Sequence, residues 1–183
     1  MSRESAIQDA LLVLRCLQGE TAAFAALVDR WQERLLRHAA RMIDDQSAAR
    51  DITQETWIAV IKNLSRLDDT EAFGQWVFRI LTNKCADWVR RQQRDRRLHD
   101  RLAEQQEQSE NSSPATSQRF DSVYQAMDAL PTEQGSLLAL YYIEEFSVAE
   151  IAEIVGVPSG TIKSRLYRAR NNLRQLLEDN KND

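Results

Sequence analysis

"FSVAEIAEIVGVPSGTIKSRLYRARNNLRQLL", residues 146–177, reads as a helix, a tight turn and a second helix. Ser147 followed three residues on by Glu150 is a capping box, in which the two side chains satisfy orphan N–H groups at a helix start. Val148, Ile151, Ala152 and Val155 recur at helical spacing as its apolar face. Gly156 suits the left-handed position after the last turn, and Pro158 lies near the next helix start, where a missing N–H costs little. On the second helix, successive turns of 100° gather Ile162, Leu166, Ala169 and Leu173 on one side. Lys163, Ser164, Tyr167, Arg168 and Asn171 fall on the other, flanked by Arg165, Arg170 and Arg174.

Five cations and no carboxylate lie between Lys163 and Arg174, in a chain whose formal net charge is −4. An ordinary solvated helix mixes signs to gain Glu–Lys pairs, and this one does not. The outward face joins cations for phosphates with side chains able to reach base edges, which suits a recognition helix in a DNA major groove. Acidity elsewhere is no obstacle, because the local field counts within about a Debye length of ~10 Å. Helix-turn-helix alone does not separate one kind of DNA-binding protein from another.

Upstream, apolar residues recur at helical spacing almost throughout. Phe24, Leu27, Val28, Trp31, Leu35, Ala39 and Met42 mark one long amphipathic helix. Ile52, Thr56, Ala59 and Val60 mark another, followed by a loop, "LSRLDDTEAF". A third helix runs from about Phe73 to Arg97. Residues 103–118, "AEQQEQSENSSPATSQ", offer only Ala for burial and carry Glu without Lys or Arg. Such a stretch cannot offset its ordering entropy. The expected fold is all-α: two small helical domains at 1–99 and 119–183, joined by a flexible linker at 100–118, the second domain holding the helix-turn-helix.

The third helix has an apolar arc of Phe73, Trp76, Val77, Ile80, Leu81 and Trp88, opposite Gln75, Arg79, Thr82, Asn83 and Arg90. Residues 84–101 hold seven cations against three carboxylates. Such a tract fits either a solvated helix end or an opened nucleic-acid strand, whose bases stack and whose phosphates pair with Arg. On the preceding helix, Asp51, Gln54 and Glu55 share one face at i, i+3 and i+4. That acidic, amide-bearing patch fits a basic protein partner or plain solvated surface.

Other classes find little support. There is no Gly-rich phosphate loop, no Ser/His/Asp set and no paired metal ligands, so neither a catalytic site, a metal nor a cofactor is expected. Five Gly and three Pro are too few turn formers for an all-β chain. No apolar run approaches the ~20 residues of a membrane span, and the N-terminus has no signal-peptide core. Cys16 and Cys85 are far apart and read as buried thiols of a reducing cytosol, so a cytoplasmic location is expected without membrane insertion.

Three blocks in order, "DITQETWIAVIKNL", "FGQWVFRILTNKCADWVRR" and "LPTEQGSLLALYYIEEFSVAEIAEIVGVPSGTIKSRLYRARNNLRQLL", resemble bacterial sigma factors, and the two-domain layout resembles the small extracytoplasmic-function (ECF) group. The resemblance spans most of the chain. It implies a non-catalytic specificity subunit that binds core RNA polymerase, recognises promoter DNA and helps melt it. Asp51, Gln54 and Glu55 match the core-binding helix. Arg79, Asn83, Arg90 and the loop from Leu67 to Glu71 match elements that read the −10 sequence. Lys163, Ser164, Arg165, Tyr167, Arg168 and Asn171 match the helix that reads −35. The family also implies an anti-sigma partner as an expectation. Thr53 and Thr56 stand where the family usually has apolar residues, and two Asp in the short "LDDTEAF" loop are unfavourable beside phosphates. Residue patterns alone leave two rivals open: a stand-alone helix-turn-helix regulator and a non-DNA-binding adaptor.

Overall fold

The structure, a computed structural model, describes residues 3–102 and 126–179. Among these residues every regular element is helical. The first domain contains α1 (Arg3–Leu17), α2 (Thr21–Met42), α3 (Gln46–Asn63) and α4 (Phe73–Leu102). Two 3₁₀ turns, Leu64–Arg66 and Thr70–Ala72, connect α3 to α4. The second domain contains α5 (Thr132–Tyr142), α6 (Val148–Val155) and α7 (Ser159–Asp179). The helix expected to stop near Arg97 continues to Leu102, so residues 100–102 belong to α4 and not to a linker. The remainder of the expected linker, 103–118, lies outside the described residues.

Local signals account for several helix ends. Asp45 accepts hydrogen bonds from the backbone N–H groups of Ser47 and Ala48 and so caps α3. Asp69 does the same for the N–H of Glu71 in the second 3₁₀ turn, which gives one loop carboxylate a structural task. Gly156 ends α6 in the left-handed conformation at φ 74°, where a Cβ would be strained. Thr53 and Thr56 are fully buried and turn their hydroxyls back to the carbonyls of Ala49 and Ile52, each at 2.8 Å. Two polar side chains therefore enter the core with their donors satisfied.

The first core is centred on Trp31, whose ring meets Phe73 and Phe78 edge-on at 5.8 and 6.1 Å. Leu27, Leu35, Val60, Val77 and Leu81 close around it. In the second domain Leu138, Leu140, Ile151, Ile154, Ile162 and Leu166 form the buried set. These cores are continuous. Phe146, just before α6, packs edge-on against Phe78 of α4 with centroids 5.3 Å apart. Around that contact, Arg34 pairs with Glu144, Arg41 with Asp128, and Gln75 donates to Glu153 at 2.5 Å.

Candidate nucleic-acid interface

The helix-turn-helix forms as its sequence directs. Ser147 N donates to Glu150 Oε2 at 2.7 Å, and Glu150 N donates to Ser147 Oγ at 3.3 Å, completing the capping box. After Gly156 the chain turns through Pro158, whose carbonyl accepts from Thr161 and Ile162 N–H groups in the first turn of α7. Ile162, Leu166 and Ala169 are buried, which rotates the opposite side of α7 outward. Lys163, Ser164, Tyr167 and Arg168 are exposed together on that side, with Tyr167 at 65 %. Asn171 is half-buried at its far edge. Arg165 differs from the other five expected contacts: its guanidinium bonds Glu133 on the first turn of α5. Two turns further on, Asn172 Nδ2 donates to Gln134 Oε1 at 2.8 Å.

On α4, Arg79, Asn83 and Arg90 are all exposed, as the polar arc requires. Arg90 is partly engaged along its own helix, with Asp87 at 3.0 Å and the Ala86 carbonyl at 3.2 Å. Thr82 departs from the expected arc. It is buried, and its hydroxyl lies 3.4 Å from His38 Nε2. Phe78, Thr82 and Gln75 form a separate stripe that faces α2 and the second domain. Glu153 of α6 reaches Gln75, one turn from Arg79, so a carboxylate stands at the edge of the α4 polar arc.

His38 is 2 % exposed, and no described residue bonds its Nδ1. Burial, with the neighbouring charge of Arg41 as a smaller cause, pushes its pKa down to about 3, so the ring is neutral. Cys85 is buried against the same helix bundle, and burial pushes its thiol up to about 12, leaving it unreactive.

On α3, Asp51, Gln54 and Glu55 are exposed on one face. Glu55 accepts a bond from Lys84 of α4 at 2.9 Å, which ties this face to the neighbouring helix. Two residues not singled out from the sequence extend the patch. Ile58 and Ile61 are 51 % and 61 % exposed, one and two turns beyond Gln54 and Glu55. Helical phase from Gln54 would have found them: positions 54, 58 and 61 share a face. Acidic residues leading into bare isoleucines make a mixed surface, suited to a partner that offers cations beside an apolar ridge.

Among the described residues no cluster of His, Cys, Asp and Glu could hold a metal ion, and no helix is long and apolar enough to cross a membrane.

Known proteins share this architecture. A family model for sigma-70 region 2 matches residues 27–95, and one for sigma-70 region 4 matches residues 120–173. The ECF RNA polymerase sigma factor SigW of Bacillus subtilis is 30% identical over 173 residues, covering 88% of this chain and 92% of its own. The RNA polymerase sigma-H factor of Pseudomonas aeruginosa is 30% identical over 182 residues, covering 93% and 94%. Among solved structures, the sigma factor RpoE of Bartonella quintana in complex with the anti-sigma factor NepR superposes with a TM-score of 0.67 at 26% identity, covering 85% of this chain and 96% of that one. CnrH in complex with the cytosolic domain of CnrY gives a TM-score of 0.65 at 25% identity, over 94% and 98%.

Proposed function

The chain belongs to the sigma-70 family, within its ECF group, and from that premise we propose how its surfaces divide the work of promoter recognition. The protein is a promoter-specificity subunit that binds core RNA polymerase and directs DNA-templated transcription initiation. Sigma factors are non-enzymatic initiation factors, and bond formation belongs to the polymerase.

In the proposed division, α7 reads the −35 element through Lys163, Ser164, Tyr167, Arg168 and Asn171, with Arg165 at its flank. Cations hold phosphates, while the hydroxyl, phenol and amide groups meet base edges. Arg79, Asn83 and Arg90 of α4 engage the −10 element once it opens and help keep it melted. Asp51, Gln54 and Glu55 of α3, extended by Ile58 and Ile61, dock on core polymerase. An anti-sigma factor is a further proposed partner, because both solved relatives were captured with such proteins or with a cytosolic partner domain.

The observation that carries this reading is the exposed face of α7, where no carboxylate interrupts the cations from Lys163 to Arg174. The test is run-off transcription by purified core polymerase, with and without the protein, on promoters selected from a randomised duplex library. Transcripts that start at defined sites only when the protein is added are expected. Tight duplex binding by the protein alone, with no effect on core polymerase, would instead identify a free-standing regulator.

A further inference from the structure

Arg165 and Asn172 lie seven residues apart on α7, so they share one flank two turns from each other, about 10 Å along the axis. That flank is about 100° round the helix from Ser164 and about 160° from Lys163 and Tyr167, and it borders the reading side at Arg168, about 60° from Arg165. Both residues are held by neighbours on the first turn of α5: Arg165 by Glu133, and Asn172 by Gln134 at 2.8 Å. Between them runs the buried seam of Leu166 and Ala169.

The seam and the two links do different things. Apolar contact is non-directional, so the seam resists lifting α7 from the domain but only weakly resists rolling it. Hydrogen bonds are directional and lose strength steeply with misalignment. Two of them, separated along the axis, oppose both roll and tilt. The side-chain shell of a helix has a radius of about 5–6 Å, so a roll of about 20° moves an outward group by about 2 Å. A displacement of that size takes a base-edge contact out of hydrogen-bond range.

We propose that Glu133 and Gln134 are positioning residues for promoter recognition, and that Arg165 acts through Glu133 and not by touching DNA. This rests on the reading of α7 as the −35 helix. Surface ion pairs contribute little to stability, and this one is open to solvent on both sides, at 39% and 70% exposure. Its value is the angle at which α7 meets the groove.

The experiment uses holoenzyme reconstituted with core polymerase. Binding is measured over a salt series on a duplex selected by the wild-type holoenzyme and on the same duplex with its upstream element scrambled. Glu133→Gln and Arg165→Gln should each reduce discrimination between the two duplexes at least fivefold, with thermal stability unchanged. The slope of log K against log salt should stay within half a unit of wild type. The charge exchange, Glu133→Arg with Arg165→Glu, should restore discrimination to within about twofold. An Arg165→Gln slope lower by about 1, the signature of one lost phosphate contact, would overturn the proposal if Glu133→Gln kept full discrimination. So would an exchange variant that folds normally yet discriminates no better than the single variants. A wild-type holoenzyme blind to the upstream element would instead reject the assignment of α7 itself.

Discussion

Arg34 of α2 and Glu144 of the α5–α6 turn form an ion pair across the two domains, with Nη2 2.6 Å from Oε2 and Nε donating to the same oxygen at 2.7 Å. The guanidinium also lies 4.1 Å from the centroid of the Trp31 ring, so it is held from two sides. Glu144 is 3 % exposed, and a carboxylate so buried needs its partner.

Removing that partner has a defined outcome. Arg34→Ala leaves the Glu144 charge buried and unpaired, a change that costs about 3–5 kcal/mol in fully buried pairs. The domains can relieve the cost by parting, since Glu144 regains water on opening. The expected result is a larger radius of gyration by small-angle X-ray scattering, with helix content unchanged. The double variant Arg34→Met with Glu144→Leu should stay compact, because neither charge remains to be solvated. Equal radii for all three proteins would show that the pair does not govern docking.

His38, buried between α2 and α4, makes the fold sensitive to acid. Its pKa is lowered to about 3 by burial, whereas the unfolded value is near 6.5. Between those values the unfolded chain binds a proton that the folded chain refuses, so stability falls as pH drops below about 6.5. The loss should reach about 2 kcal/mol at pH 5 relative to pH 7. Asp9 works in the opposite direction. Burial is the largest cause raising its carboxyl, so it contributes stability as pH falls, at the α1–α2 contact. Urea melts of wild type and His38→Asn at both pH values isolate the histidine. The variant should lose the difference, and an unchanged difference would place the acid sensitivity elsewhere.

Core binding should depend on the α3 patch. Asp51→Lys with Glu55→Lys reverses two exposed charges and breaks the Glu55–Lys84 bridge, a surface pair worth at most about 1 kcal/mol. Fold and melting temperature should therefore change little, while like charges against a basic partner cost several kcal/mol. Ile61→Asp tests the apolar extension separately. Holoenzyme formation by gel filtration should be lost in the double variant and weakened at least tenfold in Ile61→Asp. Retention of both complexes would move the polymerase contact to another face.

Asn83→Ala should damage promoter opening more than duplex binding. The side chain is exposed on α4 beside Arg79, and its amide has both donors and acceptors for a base edge. Pairing edges become available only after the strands part. Permanganate reactivity of thymines around −10 should fall at least fivefold, with duplex affinity within about twofold of wild type. Normal reactivity would shift −10 capture to the 67–71 loop.

The helix-turn-helix was legible because its determinants are local. Ser147 and Glu150 lie three residues apart, Gly156 ends one helix, and the 162/166/169 spacing sets which side of α7 faces out. The exposed face of Asp51, Gln54 and Glu55 follows from helical phase in the same way. Partners distant in sequence were not legible. Nothing near Glu144 announces Arg34, which is 110 positions away. Phe78 and Thr82 show the limit from the other side. Each sits on a helix whose apolar arc appeared complete without it, and each is buried because a second surface packs there. Thr53 and Thr56 reach the core by bonding their own backbone, which side-chain polarity alone conceals. α4 ends at Leu102, five residues beyond the expected Arg97, because a charged helix end carries no apolar period to read.

α4 runs without interruption for 30 residues, a length of about 45 Å, and after Gly74 it contains neither Gly nor Pro. Sharp kinks in helices need such residues or an inserted group, so this one has no built-in joint. Its early turns are clamped among Trp31, Phe146 and Glu153, while Arg91, Arg94 and Arg96 stand in solvent further along. Mechanically that is a cantilever. A load applied at the arginines is not dissipated midway but arrives as torque at the clamp, where the second domain leans on Gln75.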